Sequence, residues 1–183
     1  MARQPATRAS ARAKPLAKSG PSIVSSSHLV SPRSAELSEF EFGLIVAWNA
    51  FSRWAVRCMA AAGVGELTIT DVLLLHHVNH RARNKKLADI CFVLNYEDTH
   101  VVAYSLKKLV AARLVQADKV GKEVLYSPTP AGEAAVQAYR QVREQCLVGS
   151  LDTELNAPIG ELARLLRTMS GMYDQAARAA SSL

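Results

Sequence analysis

The sequence predicts a mainly α-helical protein with a small β-hairpin wing, a winged helix-turn-helix flanked by dimerisation helices. Three observations carry this reading. Apolar residues recur at spacings of three and four through most of the chain. One pair of alternating segments, Leu114–Val120 and Glu123–Ser127, is joined by the turn signal Gly121-Lys122. Basic residues gather on the same stretch: residues 81–122 hold nine of them against four acids, Asp89, Glu97, Asp98 and Asp118.

Taken in order, residues 1–33 are Ala, Ser, Pro, Arg and Lys with few large apolar groups, a composition that cannot offset its own ordering entropy. They are expected to form a disordered basic tail. They hold Arg3, Arg8, Arg12, Lys14, Lys18 and Arg33 and no acid, which accounts for the whole net charge of +6. The remaining 16 basic and 16 acidic residues balance. The tail adds non-specific affinity for polyanions, and a targeting peptide is the other reading of its composition.

The ordered part is expected over 34–183, with dimerisation helices at about 34–62, 130–148 and 158–180 around a winged-helix core at about 66–129. Ser34 to Ala62 reads as a long helix with Ser34 as cap and Glu36 in its first turn. Its stripe of Phe40, Leu44, Ala47, Trp48, Phe51, Trp54, Ala55 and Cys58 is widened by Phe42, Ile45 and Val46. Such a helix packs on more than one side, which implies a partner subunit.

Gly63 and Gly65 end it, and Thr70 or Thr68 caps a second helix through His80. Lys85–Leu94 is the third, with Leu87, Ile90, Cys91 and Leu94 on one face. Asn95 to Asp98 forms the turn, and Asp98 caps the fourth helix, Thr99–Ala112, whose inward face is Val102, Leu106, Leu109 and Val110. After the hairpin, Thr129 caps a fifth helix with Pro130 at its first position. Pro158 opens a sixth, with a stripe of Ile159, Leu162, Leu165, Leu166 and Met169.

By this order and spacing the chain resembles the MarR family of transcription regulators, over about residues 35–180. The segments that carry the resemblance are LADICFVLN, SLKKLVAARLV, the wing, and TPAG, with Leu106, Leu109, Leu114, Val115, Thr129 and Gly132 at the pattern positions. The resemblance implies a homodimeric, sequence-specific regulator of transcription, a repressor, with double-stranded DNA as partner and a small-molecule effector as a further expectation. Two positions depart from the pattern. Arg113 stands where the family has Gly, so a positive φ there would be strained. The wing, Asp118-Lys119-Val120-Gly121-Lys122, lacks the arginine that reaches the minor groove.

The chemistry of the basic stretch agrees with this. A helix fits the major groove and presents its N-terminal residues to base edges. The outward residues of the fourth helix are Thr99, His100, Val101, Ala103, Tyr104 and Lys107. Thr99 and His100 can bond bases or phosphates, and Val101 or Ala103 can touch a thymine methyl. Lys85, Lys86, Lys107, Lys108, Lys119 and Lys122 supply backbone affinity. With no Arg, Asn or Gln on that face, direct readout is expected to be modest. The rival reading is a winged-helix module for protein–protein contact with weak or lost DNA specificity.

Other constellations weigh less. His76 and His80 share a helix face at metal-ligand spacing but lack further ligands, so no metal and no cofactor is expected. Trp48 and Trp54 read as core or dimer packing before pocket lining. Cys58, Cys91 and Cys146 are scattered without CxxC spacing, as small hydrophobes in a reduced cytoplasm. No apolar run reaches the roughly 18 residues of a membrane span. No Gly-rich phosphate loop, GxSxG or paired carboxylates point to an enzyme.

Overall fold

The computed structural model describes residue 31 and residues 33–183. The expected tail over 1–33 therefore lies almost wholly outside the described residues. The described elements, in chain order, are α1 (Ala35–Ala61), α2 (Ile69–Asn79), β1 (Lys85–Lys86), α3 (Leu87–Leu94), α4 (Thr99–Ala111), β2 (Val115–Val120), β3 (Glu123–Pro128), α5 (Pro130–Cys146) and α6 (Asn156–Ala180). The chain forms two units, one ending at Ala50 within α1 and one running from Phe51 to Leu183.

In the first unit, α1 leaves Leu37, Phe42, Leu44, Ile45, Val46 and Trp48 exposed. In the second, one apolar core takes Ala55, Cys58 and Met59 from the end of α1, and Val72, Leu74, Leu75 and Val78 from α2. It adds Ile90 and Cys91 from α3, Val102, Leu106 and Leu109 from α4, Leu114 and Val115 at the wing's base, and Ala135 and Tyr139 from α5. Fully burying a Leu or Val side chain contributes about 1.5–3 kcal/mol, so this cluster fixes the helix-turn-helix to α5. The expected inward residues of α4 are buried, except that Val110 is half-buried.

Local chemistry sets each boundary. Thr68 caps α2 through its side chain, and Asp71 reaches back to the Thr68 N–H, a reciprocal capping box. Asn95, at φ 55°, closes α3 in the left-handed region. Asp98 Oδ1 accepts from the His100 N–H and starts α4. Thr129 caps α5, with Pro130 at its first turn.

Two readings change. Lys85 and Lys86 do not open the third helix; they form a short strand that pairs Lys85 with Tyr126 and Lys86 with Leu125. The wing is therefore a three-stranded antiparallel sheet in the order β1-β3-β2, not a bare hairpin. The last helix begins at Asn156, before Pro158, after two 3-10 turns at Val148–Ser150 and Thr153–Leu155. Arg113 does adopt a positive φ, 58°, a conformation that costs a non-glycine residue on the order of 1–2 kcal/mol.

Candidate nucleic-acid interface

The candidate face is built on α4. Its buried side holds the helix against α2 and α3, which leaves Thr99, His100, Val101, Tyr104 and Lys107 exposed and Ala103 half-buried. Tyr104 is 73% exposed, unusual for a large aromatic with nothing over it. Asp98 places an acceptor on the His100 N–H in the first turn of the helix, so Thr99 and His100 sit at a formed N-terminus. The sequence-derived reading residues thus share one accessible face.

The lysines divide into two groups. Lys107, Lys119 and Lys122 are exposed. The other three have their ammonium groups committed within the chain. Lys85 Nζ donates to the carbonyls of Val78 at 3.0 Å, His80 at 2.6 Å and Arg83 at 3.3 Å. It closes the C-terminal end of α2 as a cation beside unsatisfied carbonyls. Burial and the neighbouring Arg83 hold its pKa below the usual lysine value. Lys86 pairs with Glu123 across the sheet at 2.7 Å, and that carboxylate raises its pKa. Lys108 turns inward, to Asp71 Oδ2 at 2.8 Å and the Glu66 carbonyl at 2.6 Å. Charge counting alone could not separate these groups, because it does not see partners distant in sequence.

Asp71 escaped the sequence reading. It is buried at 2% exposure. Burial pushes its carboxyl up, but bonds from Lys108, Ser105 and Thr68 outweigh this and leave its pKa below the usual carboxylate value. The Thr68-x-x-Asp71 spacing of a capping box was the available signal.

The other candidates fall elsewhere. The His76 ring meets Tyr139 edge-on, with centroids 4.4 Å apart. Its Nε2 is buried with no hydrogen-bond partner among the described residues, and burial lowers its pKa. His80 is exposed beyond the end of α2. Cys58 and Cys91 are buried, and burial raises both thiols, which disfavours the reactive thiolate. Cys146 is exposed.

Known proteins place this geometry. A family described as a winged helix DNA-binding domain matches residues 67–132, the span from the α2 cap to the start of α5. Over that span the chain is similar to winged-helix DNA-binding domains. Among solved structures, a mutant of E. coli MarR complexed with operator DNA is 19% identical, with a TM-score of 0.61 over 76% of this chain and 99% of that one. Its fold is that of the MarR regulators. AbfR of Staphylococcus epidermidis is 16% identical, with a TM-score of 0.63 over 76% of this chain and 95% of that one. A probable transcriptional regulator from Pseudomonas aeruginosa is 25% identical, with a TM-score of 0.52 over 68% and 96%. The comparison with curated proteins found no match. The resemblance to MarR read from LADICFVLN through TPAG is borne out, as is the mainly helical fold with its wing. No helix among the described residues is long and apolar enough to cross a membrane.

Proposed function

We propose that this MarR-fold chain is a transcription regulator that binds double-stranded DNA as a homodimer and represses. The observation that carries this is the exposed face of α4, Thr99 to Lys107, presented by a winged helix whose own core is complete. Thr99, His100, Val101, Ala103 and Tyr104 meet base edges in the major groove. Lys107, Lys119 and Lys122 meet phosphates. Lys85 and Lys108, spent on backbone carbonyls and the buried Asp71, contribute fold rather than phosphate contact, while Lys86, in an exposed pair with Glu123, exchanges that partner for a phosphate at little cost.

The dimer rests on α6. It buries no residue of its own, and Ile159, Leu162, Leu165 and Met172 are exposed along it. Exposed Leu147, Leu151 and Leu155 precede it. An apolar stripe of this length is the signature of a surface that a second copy covers. Two reading helices related by the dimer axis then address a pseudo-palindromic site.

Selection of bound duplex from a random pool tests the reading. Enrichment of an inverted repeat is the expected result. Binding with no enriched sequence supports the rival, a winged-helix module for protein contact, which the exposed Phe92 and Val93 on α3 favour.

A further inference from the structure

We propose that Asp71 is the positioning residue of the reading helix: one buried carboxylate that sets how α4 is rolled and seated for base contact. The inference rests on the DNA-reading role of α4 and names what holds that helix in register.

Asp71 is itself immobilised. It stands in the first turn of α2, and its Oδ2 accepts from the Thr68 N–H at 2.8 Å while its own N–H donates to Thr68 Oγ1 at 3.3 Å. From this fixed point it takes hold of α4 twice. Ser105 Oγ donates to Oδ1, and Lys108 Nζ donates to Oδ2 at 2.8 Å. Ser105 and Lys108 are three residues apart and so share one helix face, separated by about 4.5 Å along the axis. Two grips at different heights resist both rotation about the axis and sliding along it. A single apolar contact resists neither so well, because dispersion is non-directional. Lys108 also donates to the carbonyl of Glu66, which sits at φ 62° just before the α2 cap. The same ammonium therefore ties α4 to the α1–α2 connection.

The grip lies next to the reading face. A hollow of about 250 Å³ is lined by Asp71, Ser105 and Lys108 together with Val101 and Tyr104. Val101 precedes Ser105 by four residues, and Tyr104 precedes Lys108 by four. Each reading side chain thus stands one turn from a gripped one. A carboxylate that accepts charged and neutral hydrogen bonds in a buried setting is a strong, directional anchor. Rotation of α4 about that anchor would displace base contacts while leaving Lys119 and Lys122, which stand on the wing, near the phosphates, and the flexible four-carbon stem of Lys107 lets its ammonium follow a phosphate through a small rotation.

The test compares full-length wild type with Asp71→Asn, Ser105→Ala, Lys108→Met and Lys107→Ala. Affinities are measured at several salt concentrations for the duplex selected from a random pool and for its scrambled counterpart. Asp71→Asn turns one acceptor oxygen into a donor facing another donor. It is expected to lower the ratio of specific to scrambled affinity by about ten-fold, the scale of one mismatched base pair. Ser105→Ala and Lys108→Met are expected to lower the ratio in the same direction, all three with the salt slope unchanged. Lys107→Ala is expected to do the reverse, reducing the slope by about one for each phosphate it no longer neutralises. A folded Asp71→Asn that weakens both duplexes equally, or neither, overturns the proposal. So does a Lys108→Met that flattens the salt slope, since its ammonium would then lie on a phosphate. Ser105→Ala keeps the other donors and carries the test should Asp71→Asn fail to fold. A wild type that enriches no sequence overturns the regulatory reading and this inference with it. A preference that survives Asp71→Asn and Ser105→Ala overturns this inference alone.

Discussion

Replacing Gly132 with alanine sets two effects of opposite sign against each other. Gly132 lies in the first turn of α5, where alanine is intrinsically the better helix former by about 1 kcal/mol. A Cβ built there, however, runs into the Leu114 carbonyl oxygen and lies 3.0 Å from its carbon. Neither is the flexible end of a side chain. The Leu114 carbonyl accepts from the Thr129 N–H at 3.2 Å, and the Leu114 N–H donates to Leu109 at 3.0 Å. Thr129 Oγ1 accepts from the Gly132 N–H and donates to the Arg113 carbonyl at 2.6 Å. The methyl group therefore has to separate two backbones at the junction of α4, the wing and α5. Overpacking of this kind costs about 1–3 kcal/mol or more, and the backbone partners place Gly132→Ala at the upper end. The expected net loss is about 2 kcal/mol, a fall in Tm of roughly 5–8 °C for a body of this size. Thermal and urea unfolding followed by circular dichroism measure it. An unchanged or raised Tm would mean that helix propensity wins and that the close approach does not govern this position.

Three further outcomes follow from the same structure. His76 has its folded pKa lowered by burial, so the unfolded chain takes up the proton first. Stability is then full above about pH 6.5 and is lost as the pH falls through the lower folded value. His76→Phe is expected to flatten that part of a urea-midpoint series between about pH 7.5 and 5, and an unaltered series would count against it. Leu162→Glu combined with Leu165→Glu places charge on the exposed stripe of α6. Sedimentation is expected to show monomer at concentrations where the wild type is dimeric, with the helical signal of the remaining body retained. Leu106→Ala empties a fully buried site in α4 and is expected to cost about 2–5 kcal/mol in denaturant titration; a loss below about 1 kcal/mol would contradict the packing described.

Much of this architecture was legible because its signals are local. Asp98 before an apolar-periodic run, Thr129-Pro130 before another, and Gly121 between two alternating segments each act within a few residues. The strain at Arg113 followed from the resemblance, because Arg stands where the family has glycine, and its φ is positive. What stayed hidden is what depends on distant partners. A Lys-Lys pair has no strand signature, and β1 exists only because Tyr126 and Leu125 lie alongside it. Three of the six lysines assigned to phosphate find acceptors inside the chain, and the Lys108 acceptor Asp71 lies 37 residues away. The sequence shows that a cation is present and not whether its charge is free.

The short strand β1 has a mechanical consequence. It clamps β3 at Leu125 and Tyr126, so the sheet has three strands at its root and only two beyond it. From Val124 outward the wing is a cantilever, about 10 Å of overhang at the usual rise per residue. Two-stranded ribbons are more strongly twisted than wider sheets. Lys119 and Lys122 therefore stand on the two-stranded part beyond that base, tied back to β1 by the Lys86–Glu123 pair, and the base is set by two residues that a charge count would have assigned to DNA.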